Sequence, residues 1–132
     1  MPQIQVTYSR LSLAERRSKM ARWFDARGFT LAEFDKSTLR FSTYRMEELI
    51  VFKLSERSGY QTFYKRSNEG ALIVFEVIVN EYGISYDGYC PLLLFGIWPK
   101  KLAFKQGASG LFKYRDEGYR IEQQFVAMLH EL

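Results

Sequence analysis

The residues best suited to covalent or acid–base chemistry are scarce in this chain: one histidine, His130, and one cysteine, Cys90. A thiol and an imidazole form a nucleophile and base only if they meet in space, and nothing around either residue announces such a meeting. His130 falls off the apolar stripe of the C-terminal segment, where a lone histidine ordinarily complements a helix dipole. One Cys and one His cannot make a structural zinc site, and no carboxylate spacing marks a magnesium or two-carboxylate site. GxSxG, HExxH, the P-loop and the dinucleotide glycine pattern are all missing. The expectation is a non-enzyme with no cofactor and no metal.

The more telling residue is Glu76, inside ALIVFEVIVN at 71–80. Read as a strand, residues 71, 73, 75, 77 and 79 give one wholly apolar face, and Leu72, Val74, Glu76 and Ile78 give the other. In ELIVFKLS, Lys53 falls on the same face as Leu49 and Val51, so Lys53 and Glu76 are candidates for a cross-strand pair. YQTFYKR places Tyr60, Thr62, Tyr64 and Arg66 together, with Phe63 opposite. A face of this composition resembles a recognition surface, in which aromatics are enriched. Tyr60, Tyr64, Lys53, Glu76 and Arg66 are the expected partner-binding set. The plainer alternative is a half-exposed charge on the wet side of a sheet. A third reading, a dry Glu76 acting as general acid or base, lacks a second catalytic group.

Charge is unevenly placed. The net charge is +4, built from +4 in residues 1–27, −2 in 28–98, +5 in 99–115 and −3 in 116–132. Two basic islands result, at 10–27 and 99–115. Arg16, Lys19, Arg22, Lys100, Lys101 and Lys105 would form a cationic patch for a phosphate backbone if the fold joined the islands. Apart, they are solvated cations. SGYQTFYKR only faintly echoes the aromatic strand of RNA-recognition sheets, and the alternating order of that fold is absent. KQGASG at 105–110 lacks the Gly-Lys-Ser/Thr that a phosphate loop requires and reads as a flexible loop.

These residues need elements to position them. SLAE at 12–15 is a capping box opening a helix that should run to about Arg27, stop at Gly28, and bury Leu13, Met20, Phe24 and Trp23. TLAEF and LRFSTYR around DKST read as a hairpin, ELIVFKLS and YQTFYKR as strands, and SNEG as a turn. Asp87-Gly88 reads as a second hairpin turn. Pro91 and Pro99 confine the segment between them to an edge. A closing helix from about 116 to 131 carries Ile121, Phe125, Met128, Leu129 and Leu132 on one side. The expected fold is α+β: one domain over 1–132, an antiparallel meander of about five to six strands, and an N-terminal and a C-terminal helix packed on one face.

The 132 residues, 47% hydrophobic and 26% charged, suffice for one globular core. One cysteine excludes an internal disulfide. The first residues lack a signal-peptide core, and no apolar run is long enough to span a bilayer, so no membrane partner and a cytoplasmic setting are expected. The function expected from these features is a non-catalytic protein-binding domain of inhibitor, immunity, chaperone or adaptor type. Its partner would be another protein or a second copy in a homodimer, met by the open sheet face or an edge. The alternative is a nucleic-acid-binding protein using the basic islands. An enzyme or small-ligand carrier with a pocket between sheet and helices comes third.

Overall fold

The computed structural model describes residues 3–4, 11–32, 61–80, 83–95 and 98–131. The first helix, α1 (Leu13–Ala26), starts where the sequence signals it: Ser12 Oγ accepts the Glu15 N–H at 3.2 Å and donates to the Glu15 carboxylate at 3.1 Å. It ends before Gly28, whose φ of +82° is the left-handed stop. Met20 and Phe24 are fully buried on its inner side.

The strands are β1 (Gln3–Ile4), β2 (Thr30–Ala32), β3 (Gln61–Arg66), β4 (Leu72–Asn80), β5 (Gly83–Leu94) and β6 (Trp98–Leu102). Five of them form an antiparallel sheet in the order β1–β5–β4–β3–β2, and β6 pairs with the far half of β5. A 3-10 turn, Gly110–Phe112, leads into the closing helix α2 (Tyr114–His130). This is the α+β arrangement expected, with one helix near each end of the chain.

Strand parity sorts the side chains as the period-two pattern requires. Ile73, Phe75, Val77 and Val79 face the helices, beside Phe63, Ile84, Tyr86 and Cys90. Against them pack Met20 and Phe24 of α1 and Phe125 and Leu129 of α2. Phe24 stacks on Phe63 at 4.2 Å and meets Phe75 and Phe125 at 5.5 and 5.2 Å, so aromatic rings from α1, β3, β4 and α2 share one centre.

One expectation is corrected. Asp87-Gly88 is no turn: β5 runs through it unbroken, with Glu76 opposite Asp87 and Phe75 opposite Gly88. Glycine is required there because a Cβ would overlap the ring of Phe104, which lies between Gly88 and Gly118. The β4–β5 register closes instead on Asn80 opposite Gly83, where Asn80 Oδ1 accepts the Gly83 N–H. Thr30–Ala32 pairs with β3. The second limb of the hairpin expected around DKST, and the strand ELIVFKLS, lie outside the described residues. The SNEG turn is present, closed by Ser67 N–H to Ala71 O, with Gly70 at φ +92°.

Candidate functional site

Glu76 sits at the centre of β4 with a fully buried side chain. Its neighbours across the sheet are Thr62 on β3 and Asp87 on β5. Tyr89 donates its hydroxyl to Glu76 Oε1 at 2.7 Å, and Lys101 Nζ stands 3.4 Å from Oε2 and 3.1 Å from Asp87 Oδ2. The same ammonium lies 4.7 Å from the centre of the Tyr89 ring. The carboxylate is thus held by a phenol and a cation, which is what permits it to leave water. Thr62 Oγ1, beside it, is buried with no hydrogen-bond partner.

The second sheet face is therefore not open where recognition was expected. Thr62, Leu72, Val74, Glu76 and Tyr89 are all buried, and Leu72, Val74 and Tyr89 form a small apolar cluster with Tyr64 against it. Glu76 is a structural acid here and not a contact surface. Tyr64 and Arg66 are half-buried, and Arg66 donates to Gly70 O at 2.8 Å. Lys53 and Tyr60 lie outside the described residues.

The basic residues also divide. Arg16 is buried and donates to Leu11 O and Asn80 O at 3.2 and 3.3 Å, so its guanidinium ties α1 to the end of β4. It is not an exposed cation. Lys19 and Arg22 are exposed. They line an open groove of about 480 Å³ with Trp23, Arg27, Met128 and Glu131 at the C-terminal end of α2. Lys100, Lys105 and Lys113 belong to the opposite end: α2 begins at Tyr114, and Arg115 donates to Ala103 O at 2.7 Å while accepting the Lys105 N–H. The two islands are separated by the length of α2, roughly 24 Å at 1.5 Å per residue. They form no joint patch.

The same geometry keeps Cys90 and His130 apart. Cys90 lies by the start of α2, where burial, aided by Glu117 and opposed by Arg115, pushes its thiol up to about 12. His130 is the last residue of that helix. No group of three or more His, Cys, Asp or Glu side chains is placed to hold a metal ion among the described residues. The groove at Lys19 and Arg22 lies between the helices, not between sheet and helices. None of Tyr86, Cys90, Tyr114 and Glu122, whose protonation burial shifts, lines it.

What stands out is the end of the molecule beyond the core. Tyr86 pairs with Glu122, and Cys90 senses Tyr114, so α2 runs antiparallel to β5 and starts at the C-terminal end of that strand. The β5–β6 hairpin projects past this point. Phe95, at its turn, is 80% exposed and Trp98 58% exposed, with ring centroids 6.3 Å apart. Leu111 and Phe112, in the 3-10 turn that leads into α2, are 88% and 50% exposed. Comparison with family models, with curated proteins and with solved structures returned no match. The site must be read from its own chemistry.

No titratable residue announces these four side chains. Their signal in the sequence is apolar bulk beside turn formers, in FGIWP and in GASGLF, where a buried residue has nowhere to go.

Proposed function

We propose that this chain is a non-catalytic protein-binding domain that docks through the end formed by the β5–β6 turn and the entry to α2. The observation that carries the reading is the exposure of Phe95 and Trp98, in ring contact at the hairpin turn, with Leu111 and Phe112 exposed in the 3-10 turn before α2. Scattered apolar residues on a surface need no explanation, but two exposed aromatics in ring contact at a hairpin tip have the composition of binding hot spots. The edge reading from the sequence is narrowed to the tip of the β5–β6 hairpin. The open-face reading is replaced, because that face is buried at its centre.

The separation of the basic islands removes the single cationic patch on which the nucleic-acid alternative relied. Among the described residues β6 pairs only with β5, but Pro99 lacks a donor and Lys100 and Lys101 follow it, devices that discourage strand addition. The hairpin tip is the better contact.

The test is paired capture with the wild-type chain and with Phe95→Ala/Trp98→Ala, from the same cell extract, after checking that both melt at the same temperature. A protein retained by the wild type and lost by the variant supports the proposal. The same proteins retained equally by both chains would overturn it.

A further inference from the structure

Resting on that reading of the hairpin end, we infer that its partner is a protein segment carrying acidic side chains beside apolar ones, and not a second copy of this chain. The charge there is one-sided. Between Gly88 and Arg115 the sequence holds Lys100, Lys101, Lys105, Lys113 and Arg115 and no Asp or Glu. Lys101 is engaged by Glu76 and Asp87, and Arg115 by Ala103 O. Lys100, Lys105 and Lys113 are exposed and hold no carboxylate among the described residues.

The acids that border this segment are already engaged. Asp87 pairs with Lys101. Asp116 accepts the Gly107 N–H at 2.8 Å and pairs with Arg120 at 2.8 Å. Glu117 accepts the Asn68 N–H at 3.1 Å. Among the described residues, no carboxylate forms an ion pair with Lys100, Lys105 or Lys113.

A symmetric dimer through this end would lay the same three lysines against themselves, which opposes it. An acidic partner gains both from steering by the lysines and from anchoring on Trp98 and Phe95. Nucleic acid fits less well. The two rings meet at 81°, so they offer no parallel slot for a base, and the one arginine of the segment is occupied by a backbone carbonyl. Three free lysines also fall short of the roughly four to eight that mark an anionic-lipid site.

The experiment is selection from a random-peptide display library on the immobilised chain, followed by binding measurements on the enriched peptides. The expected result is enrichment in Asp and Glu together with Leu, Phe or Trp. Affinity should fall about tenfold or more with Lys100→Glu/Lys113→Glu, fall with added salt, and be lost with Trp98→Ala. All three residues are exposed, so the variants should fold, and their melting curves check it.

Neutral or basic peptides that need Trp98 but not the lysines would overturn the acidic partner and leave the docking end standing. Peptides indifferent to Trp98 and Phe95 would overturn both, and a library yielding no binder would overturn the acidic-segment inference. Tighter retention of phosphatidylserine vesicles or of a single-stranded oligonucleotide than of any peptide would assign the end to lipid or nucleic acid instead. A dimer in sedimentation abolished by Trp98→Ala would assign it to self-association.

Discussion

Tyr89 donates its phenolic proton to Glu76 at 2.7 Å, with both side chains shut away from solvent. This contact explains how a carboxylate survives inside the most apolar strand of the chain. It also makes the pair costly to break. Tyr89→Phe leaves Glu76 short of one donor and should destabilise the fold by about 1–3 kcal/mol in denaturant unfolding. Glu76→Ala should cost at least as much, since it also releases Lys101 and opens a void. A melting midpoint unmoved by either change would contradict the assignment.

Thr62 makes the opposite prediction. Its hydroxyl is buried and unpartnered, so Thr62→Val removes an unsatisfied group while keeping the shape. The variant should be more stable by roughly 1 kcal/mol. A loss of stability on chemical denaturation would show that the hydroxyl has a partner after all.

Arg16 and Lys19 lie on the same helix and should behave differently. Arg16 anchors two carbonyls from a buried position, so Arg16→Ala should cost about 1–3 kcal/mol. Lys19 is exposed, and its replacement by Ala should leave the melting temperature nearly unchanged. Equal effects would refute the structural role of the arginine.

Phe104 is held between two glycines. Gly88→Ala or Gly118→Ala would drive a methyl into its ring, and the ring cannot retreat from one without meeting the other. Each should cost about 1–3 kcal/mol. In a double-mutant cycle the cost of Gly88→Ala should shrink once Phe104 is reduced to Leu; strict additivity would show that the ring is not the obstacle.

Tyr86 and Glu122 provide the pH dependence. Burial first, then the Glu122 charge and hydrogen bond, push the Tyr86 phenol from 10.0 to about 12. Its folded value exceeds its unfolded one, so its contribution is complete below pH 10 and is lost as pH rises through about 12. Ultraviolet titration should show late phenol ionisation, and Tyr86→Phe should remove the part of it centred near 12. Burial likewise raises Glu122, so its ionisation opposes folding once pH climbs from the ordinary carboxyl range through the raised value. The stability difference between Glu122→Gln and wild type should therefore widen in favour of the variant as pH rises from 4 to 7, by urea titration at each pH.

Much of the fold was legible from periodicity. Alternation in 71–80 assigned the helix-facing residues of β4 correctly, because one face of a central strand must meet the helices. Ser12, Glu15 and Gly28 marked α1 because capping is local chemistry. Asp87-Gly88 misled because a turn dipeptide also suits a strand crossed closely by an aromatic ring. Burial of Glu76 was not legible, since Tyr89 and Lys101 reach it from other strands. The hairpin tip escaped because Pro91 and Pro99 place the segment at an edge without telling which of its apolar side chains stay exposed.

The long fifth strand contains its own weak link. Gly83–Leu94 pairs with β4 in its first half and with β6 in its second, and Pro91 falls just past that changeover. A proline contributes no amide proton to a ladder. The distal arm can accordingly peel and reclose as a separate cooperative unit while the first half stays zipped, so its amides should exchange with deuterium well ahead of those at Val77 and Tyr86.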